Sequence, residues 1–246
     1  MFRIITAGWN IEKYIERCLN SVISQAEKDW TACVVLDPCN DQSLELAKYI
    51  AKTDSRIKVI GNKKKQYATA NIMRSIYEQT PADDDVIVTL DGDDWFAGND
   101  TLSIVKRYYT QDPNLLVTHG SWVSYPDPFV TDNNIPYSKE DWERGVRKVG
   151  WRASHLRTFK YKVWKYVDHK DLIGPDGLYA RVAADLAIMF PILEMAGQDR
   201  VKYVFEKIYT YNQESPYNDH KMRCEEQRTF ARFFVDKPPY KYQETF

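Results

Sequence analysis

Cysteine is scarce. Cys18, Cys33, Cys39 and Cys224 are the four in 246 residues, and no two form a CxxC pair. That spacing excludes a thiolate zinc site and a thioredoxin-type redox pair. Cys18 and Cys33 fall within apolar patterns and read as small buried hydrophobes, which suits a reducing compartment. Long apolar runs are missing as well. No stretch of 18 apolar residues exists, and the opening MFRIITAGWN is too short an apolar run for a secretory leader. The expectation is a soluble, cytoplasmic chain without a transmembrane segment, with peripheral membrane contact left open. Charge of one sign is not in excess either: 34 Lys and Arg face 35 Asp and Glu. A broad nucleic-acid footprint is therefore not expected. No GxGxxG occurs, which removes the dinucleotide fingerprint. Aromatics, by contrast, are plentiful, with seven Trp and seventeen Tyr. Such rings suit sugars and nucleobases, although most serve in cores.

A chain of this length can bury one substantial core. The first half alternates short β-branched runs with helical stripes. Strands are predicted at residues 2–6, 32–36, 57–60, 86–90 and 115–119. The first helix carries Ile11, Tyr14, Ile15, Cys18, Leu19, Val22 and Ile23 on one face. A second stripe follows Asp41, a third includes Ala70, Met73, Ile76 and Tyr77, and a fourth helix is predicted at 99–110. Strand–helix alternation demands parallel pairing and right-handed crossovers, so an α/β fold is predicted, with a mostly parallel central sheet flanked by helices. Ligands of such sheets bind beyond the carboxyl ends of the strands. The pattern changes after Gly120. Residues 121–137 read as irregular, and Ser138 with Asp141 as a capping box for a helix to about 149. A helix is predicted at 185–196, with Pro191 as a kink. Two short strands are predicted at 201–205 and 208–211, and a closing helix at 222–234. This gives one domain over 1–235, divided into 1–119 and 120–235, and a tail at 236–246.

The segment VIVTLDGDDWF holds the densest chemistry. A buried strand ends in Asp91, Gly92, Asp93 and Asp94. Unpaired carboxylates crowded at a buried strand end repel one another. A divalent cation resolves the conflict, because hard cations take carboxylate oxygens. Gly92 permits a tight turn that lets Asp91 and Asp93 face one point. The alternative is an Asp-Gly turn with solvated acids.

Taken in order, the segments resemble the inverting glycosyltransferases of family 2, with the GT-A fold, over residues 2–221. IITAGWN resembles the family's first strand and nucleotide-contacting turn, with Ala7 in the turn and Trp9 placed to stack on a base. SVISQ resembles a family helix end. VVLDPCND resembles the second strand and acidic turn, leaving Asp37 alone for the uracil or ribose contact. LDGDD resembles the metal-binding DxD element. The third helix departs from the family's Ala-Arg-Asn: the Arg is missing, and Asn71 or a lysine of 63–65 stands in. HLRTF resembles a segment near the acceptor side. Ala184-Asp185 falls where the family has Glu-Asp, and YTYNQESPYNDHK resembles the segment that returns to the donor.

The resemblance implies metal-dependent transfer of a sugar from a nucleotide-diphosphate donor (UDP-, GDP- or dTDP-sugar) to an acceptor hydroxyl, such as that of a glycan, with inversion. Asp185 is implied as general base. Mn²⁺ or Mg²⁺ is implied, held among Asp91, Asp93, Asp94 and His220, the last otherwise a loop histidine. Ala7, Trp9, Asp37, Asn71, Asp91 and Gly92 are implied in donor binding. Trp122, Trp142, Trp151 and His155 are available for an acceptor groove. Two other readings stay open: a non-catalytic sugar-nucleotide-binding module, and a different GT-A enzyme acting on sugar nucleotides. A HAD-type phosphatase fits poorly, because Asp94 and Trp95 follow the acids where that class has Thr or Val, and because the acids lie late in the chain. A sugar-phosphate nucleotidylyltransferase would need a glycine-rich basic signature near the first strand, which 7–10 lacks.

Overall fold

The computed structural model describes residues 1–129, 134–217 and 219–246, with the side chains of Asp219 and His220 outside that description. Strands β1 (Phe2–Gly8), β2 (Trp30–Leu36), β3 (Ile57–Gly61) and β4 (Val86–Thr89) alternate with helices α1 (Glu12–Ile23), α2 (Ser43–Ala51) and α3 (Tyr67–Tyr77). After the acidic turn come β5 (Trp95–Phe96), α4 (Thr101–Gln111) and β6 (Val117–Tyr125). The second half adds α5 (Lys139–Arg144), β7 (Thr158–Lys160), α6 (Tyr161–Trp164), α7 (Ala184–Ala196), β8 (Val201–Asn212), α8 (Asp219–Met222) and α9 (Cys224–Asp236).

The sheet order is β3-β2-β1-β4-β7-β6-β8-β5. Pairings within β3-β2-β1-β4 are parallel, as the alternation predicts. Beyond β4 the sheet is mixed: β7 runs antiparallel between β4 and β6, while β6 and β8 are parallel. Successive strand residues face opposite sides. Ile4 and Val88 join the core beneath α1, α2 and α4, whereas Ile5 and Ile87 join the core beneath α3 and α7. Helix α1 buries Ile15, Cys18, Leu19 and Val22, the predicted stripe.

Several expectations need correcting. Residues 121–125 are not irregular, because β6 continues to Tyr125 beside β8. The two expected strands near 201–211 form one strand, with register shifts opposite Ser121. The capping box at Ser138 and Asp141 is present, but Gly145 at φ 93 ends the helix early. The segment at 236–246 is strapped down: Tyr240 donates its backbone N–H to Glu194 at 2.9 Å and its hydroxyl to Asp171 at 2.6 Å. Among the described residues, no helix is long and apolar enough to cross a membrane.

Candidate functional site

A cavity of about 700 Å³ opens at the carboxyl ends of β1, β2 and β4, the edge the topology marks for ligands. Its wall includes Trp9, Asp37, Asn71, Asp91 and Asp185, so residues far apart in sequence meet there.

The acidic turn is fixed from both sides. The Gly92 N–H donates to the Ala7 carbonyl at 3.1 Å. A Cβ on Gly92 would stand 2.5 Å from Ile11 Cδ1 and 3.1 Å from that carbonyl. Glycine is required for this close approach, not for a left-handed turn, since its φ is not in that region. From β8, Tyr209 donates its hydroxyl to Asp94 Oδ2 at 2.6 Å, and the Asn212 N–H donates to Oδ1 at 2.7 Å. The Asn212 side chain donates to the Asp93 carbonyl at 3.0 Å.

Crowding and burial raise the acids. Desolvation in the cavity pushes the Asp91 carboxyl up to about 6, opposed by Arg157 and reinforced by Asp93 and Asp185, although 43% of the side chain is exposed. Burial also raises Asp93. Asp94 is held well above the carboxylate range, by burial first and then by Asp93 and Asp91. Sequence reasoning placed Asp91 and Asp93 at one point. Among the described residues, the group whose ligand atoms all lie within 4.8 Å of one another is Asp91, Asp94 and His155. His220 lies outside the described side chains.

His155 is suited to that group. Burial, with Arg157 adding to it, lowers its pKa well below the usual imidazole value. The ring is therefore neutral, as metal ligation requires. Its Nδ1 lies 3.1 Å from Arg157 Nη2. A guanidinium can only donate, so Nδ1 is the acceptor and the proton sits on Nε2; Nδ1 also lies 3.9 Å from Asp91 and would take a cation only by giving up the Arg157 bond. The ring stacks on Tyr209 at 4.6 Å and on Tyr211 at 5.6 Å. Two carboxylate oxygens and one imidazole nitrogen at close range, with Arg157 only 3.8 Å from Asp91 as a partial counter-charge, fit a divalent cation.

Asp37 is committed to its own chain. Its carboxylate accepts from Asn62 Nδ2 at 3.0 Å, the Gln66 N–H at 2.8 Å and the Tyr67 N–H at 2.9 Å. These bonds hold the entry to α3, where Tyr67 is left-handed at φ 66. Asn62 Nδ2 also donates to Asn71 Oδ1 at 2.6 Å. Trp9 donates its indole N–H to the Pro38 carbonyl at 3.0 Å, and Lys65 Nζ sits 3.4 Å above its ring.

Asp185 is not the N-cap of α7. That place belongs to Ala183, at φ 52, with no side-chain cap. The Asp185 carboxylate points instead toward Arg157, with Nη1 3.5 Å from Oδ2. Arg157 also stands 3.8 Å from Asp91. Sequence reasoning missed Arg157, Tyr209 and Asn212 as site residues, although HLRTF and YTYNQ contain them. Trp122, Trp151 and His155 line the cavity. Trp142 is not in its lining and packs on Tyr137 at 5.7 Å.

The architecture matches solved glycosyltransferases of the GT-A fold. S. aureus TarS 1–349, solved in complex with UDP, superposes with TM-score 0.66 at 18% identity, over 87% of this chain and 61% of that one. The mannosyltransferase PcManGT from Pyrobaculum calidifontis, in complex with GDP-Man and Mn²⁺, superposes with TM-score 0.61 at 16% identity, over 97% and 65%. The fold is therefore GT-A. The model of glycosyl transferase family 2 matches residues 4–185, and the chain belongs to that family of sugar-transferring enzymes. The uncharacterized glycosyltransferase EpsJ of Bacillus subtilis (strain 168) is 26% identical over 231 residues, which are 85% of this chain and 60% of EpsJ. Chondroitin synthase of Pasteurella multocida (strain Pm70) is 22% identical over 166 residues, 67% of this chain and 16% of the synthase. The chain thus spans less than two thirds of these relatives.

Proposed function

We propose that this glycosyltransferase moves a sugar from a UDP-, GDP- or dTDP-sugar to an acceptor hydroxyl of a glycan, with inversion and with help from a divalent cation. One observation carries the reading: Asp91 of the cation group and Asp185 share one cavity, on either side of Arg157. A donor bound at the strand ends would place its leaving diphosphate at the acids. Asp185 would take the proton from the attacking hydroxyl, which keeps base and leaving group apart as a single displacement requires.

Mn²⁺ or Mg²⁺ held by Asp91 and Asp94, with His155 and with Asp93 or His220 as further ligands, would stabilise the leaving diphosphate as a Lewis acid. An imidazole among the ligands favours Mn²⁺. Ala7, Gly92, Trp9 and Asn71 would form the donor wall, with Asp37 fixing the loop into α3. Residues 1–119 would serve the donor and 120–235 the acceptor, within one domain. Trp122 and Trp151 offer faces for acceptor sugar rings. The four cysteines are thiols, which supports a cytoplasmic setting.

The test is a panel of UDP-, GDP- and dTDP-sugars incubated with the chain, with and without Mn²⁺ or Mg²⁺, following nucleotide release. Release of one nucleotide that requires the cation is expected. Cation-independent release would remove the metal from the proposal, and no binding of any donor would remove the donor site.

A further inference from the structure

Arg157 is 6% exposed, and its guanidinium faces Thr89, His155, Asp91 and Asp185. Its backbone is pinned too. The Thr89 N–H and hydroxyl both donate to the Arg157 carbonyl, at 3.1 and 3.2 Å. The side chain therefore reaches the acids from a fixed base at the junction of β4 and β7. A relaxed charge-assisted bond to a carboxylate is about 2.7–2.9 Å long. Neither of its contacts reaches that: Nη1 to Asp185 is 3.5 Å and Nη2 to Asp91 is 3.8 Å. One cation is stretched between two anions and fully pairs with neither.

We infer that Arg157 is a positioning residue that couples loading of the cation group to placement of the base. The inference rests on reading Asp91 as a cation ligand and Asp185 as the base. A dication at Asp91 consumes that carboxylate's charge and repels the neighbouring guanidinium. The Asp91 contact of Arg157 is lost, and Asp185 becomes its sole anionic partner. The tightened pair fixes the Asp185 carboxylate through Oδ2 and leaves Oδ1 for the acceptor hydroxyl. Coupling between two sites is reciprocal. Asp185 draws Arg157 away from Asp91 and so favours the cation. Without Asp185, Arg157 leans on Asp91 and competes with it.

A merely structural arginine would affect folding and leave the two sites independent. The discriminating experiment is calorimetric titration of the full chain with Mn²⁺ alone, in a double-mutant cycle of Arg157→Met and Asp185→Asn. Arg157→Met should bind Mn²⁺ roughly tenfold tighter, having lost a competing charge. Asp185→Asn should bind roughly fivefold weaker, and that loss should shrink to near nothing in the double variant. Arg157→Met should also transfer sugar more slowly at saturating Mn²⁺. Arg157→Lys, a point charge that serves one acid at a time, should restore wild-type Mn²⁺ affinity but only part of kcat. If Arg157→Met does not fold, the cycle is run with Arg157→Lys, where the Asp185→Asn effect should be reduced. An Asp185→Asn effect of equal size in both backgrounds overturns the coupling. A wild-type chain that binds no Mn²⁺ overturns the metal reading itself, a result distinct from additivity in a chain that does bind.

Discussion

Tyr209 donates its hydroxyl to Asp94 across 2.6 Å, joining residues 115 positions apart. Burial, followed by the nearby Asp94 and Asp91, holds the phenol well above its ordinary pKa, so it remains a donor. Tyr209→Phe leaves a buried carboxyl with one bond fewer. It should cost about 1–3 kcal/mol of stability by urea unfolding and weaken Mn²⁺ binding. Unchanged stability and metal affinity would show that the Asn212 N–H alone holds Asp94.

Asp37 receives three N–H groups from 62–67. Asp37→Ala should therefore lower stability by about 1–3 kcal/mol, with weaker nucleotide binding following from the displaced loop. Asp37→Asn should fall between. A thermal melt identical to wild type, with only the nucleotide affinity reduced, would assign Asp37 to direct ligand contact.

Asp185→Asn preserves size and removes the proton acceptor. Transfer should fall by roughly two orders of magnitude or more. Donor binding should persist, and Mn²⁺ binding should persist with the modest weakening given above. Initial rates and donor titrations on the same preparation separate these effects. Near-normal transfer would overturn Asp185 as the base; Asp171, bonded to Tyr240, and Asp176, paired with Arg181, do not line the cavity and could not replace it.

The acids also give a pH signature. Folded Asp91 titrates at about 6 against an ordinary 3.8, so between those values the folded chain holds a proton that the unfolded chain has released. Its contribution to stability falls as pH rises through that window. Asp93 and Asp94, also raised, act in the same direction. His155, depressed, acts oppositely: its contribution is present above the unfolded value of 6.5 and is lost on acidification. Comparison with Asp91→Asn isolates the acid. The metal-free wild type should gain more, or lose less, melting temperature than Asp91→Asn between pH 7 and 5. Mn²⁺ needs ionised ligands, so its stabilisation of the wild type should be larger at pH 7.5 than at pH 5. A pH-independent Mn²⁺ effect would remove Asp91 from the ligands.

The first half of the fold was legible because its signals are local. Each strand from β1 to β4 is a short apolar run, and the α1 stripe reads directly from Ile15 to Val22. The acidic turn was legible for the same reason. What was hidden depends on pairing. Strand β7 is three residues long, and nothing in Thr158–Lys160 announces that it lies antiparallel against β4. That pairing brings Arg157 and His155 to the acids. The Asp185 helix was visible in its apolar face, but not the left-handed Ala183 that caps it. Gly92 was singled out for its backbone freedom; the demand on it is steric and comes from Ile11 and Ala7, eighty or more positions earlier.

The anchoring of the acidic turn by β8 has a consequence in time. Tyr209 and Asn212 lie beyond the stretch, 4–185, that the family model matches. During synthesis the sheet can form from β1 to β4 while Asp94 still lacks its hydrogen-bond donors Tyr209 and Asn212. Contacts of such long sequence separation are late rewards in folding. A nascent or truncated chain that stops before Tyr209 would therefore carry the acids without the geometry that aims them. Strand β8, the last in chain order among the described residues, is therefore what completes the acidic edge.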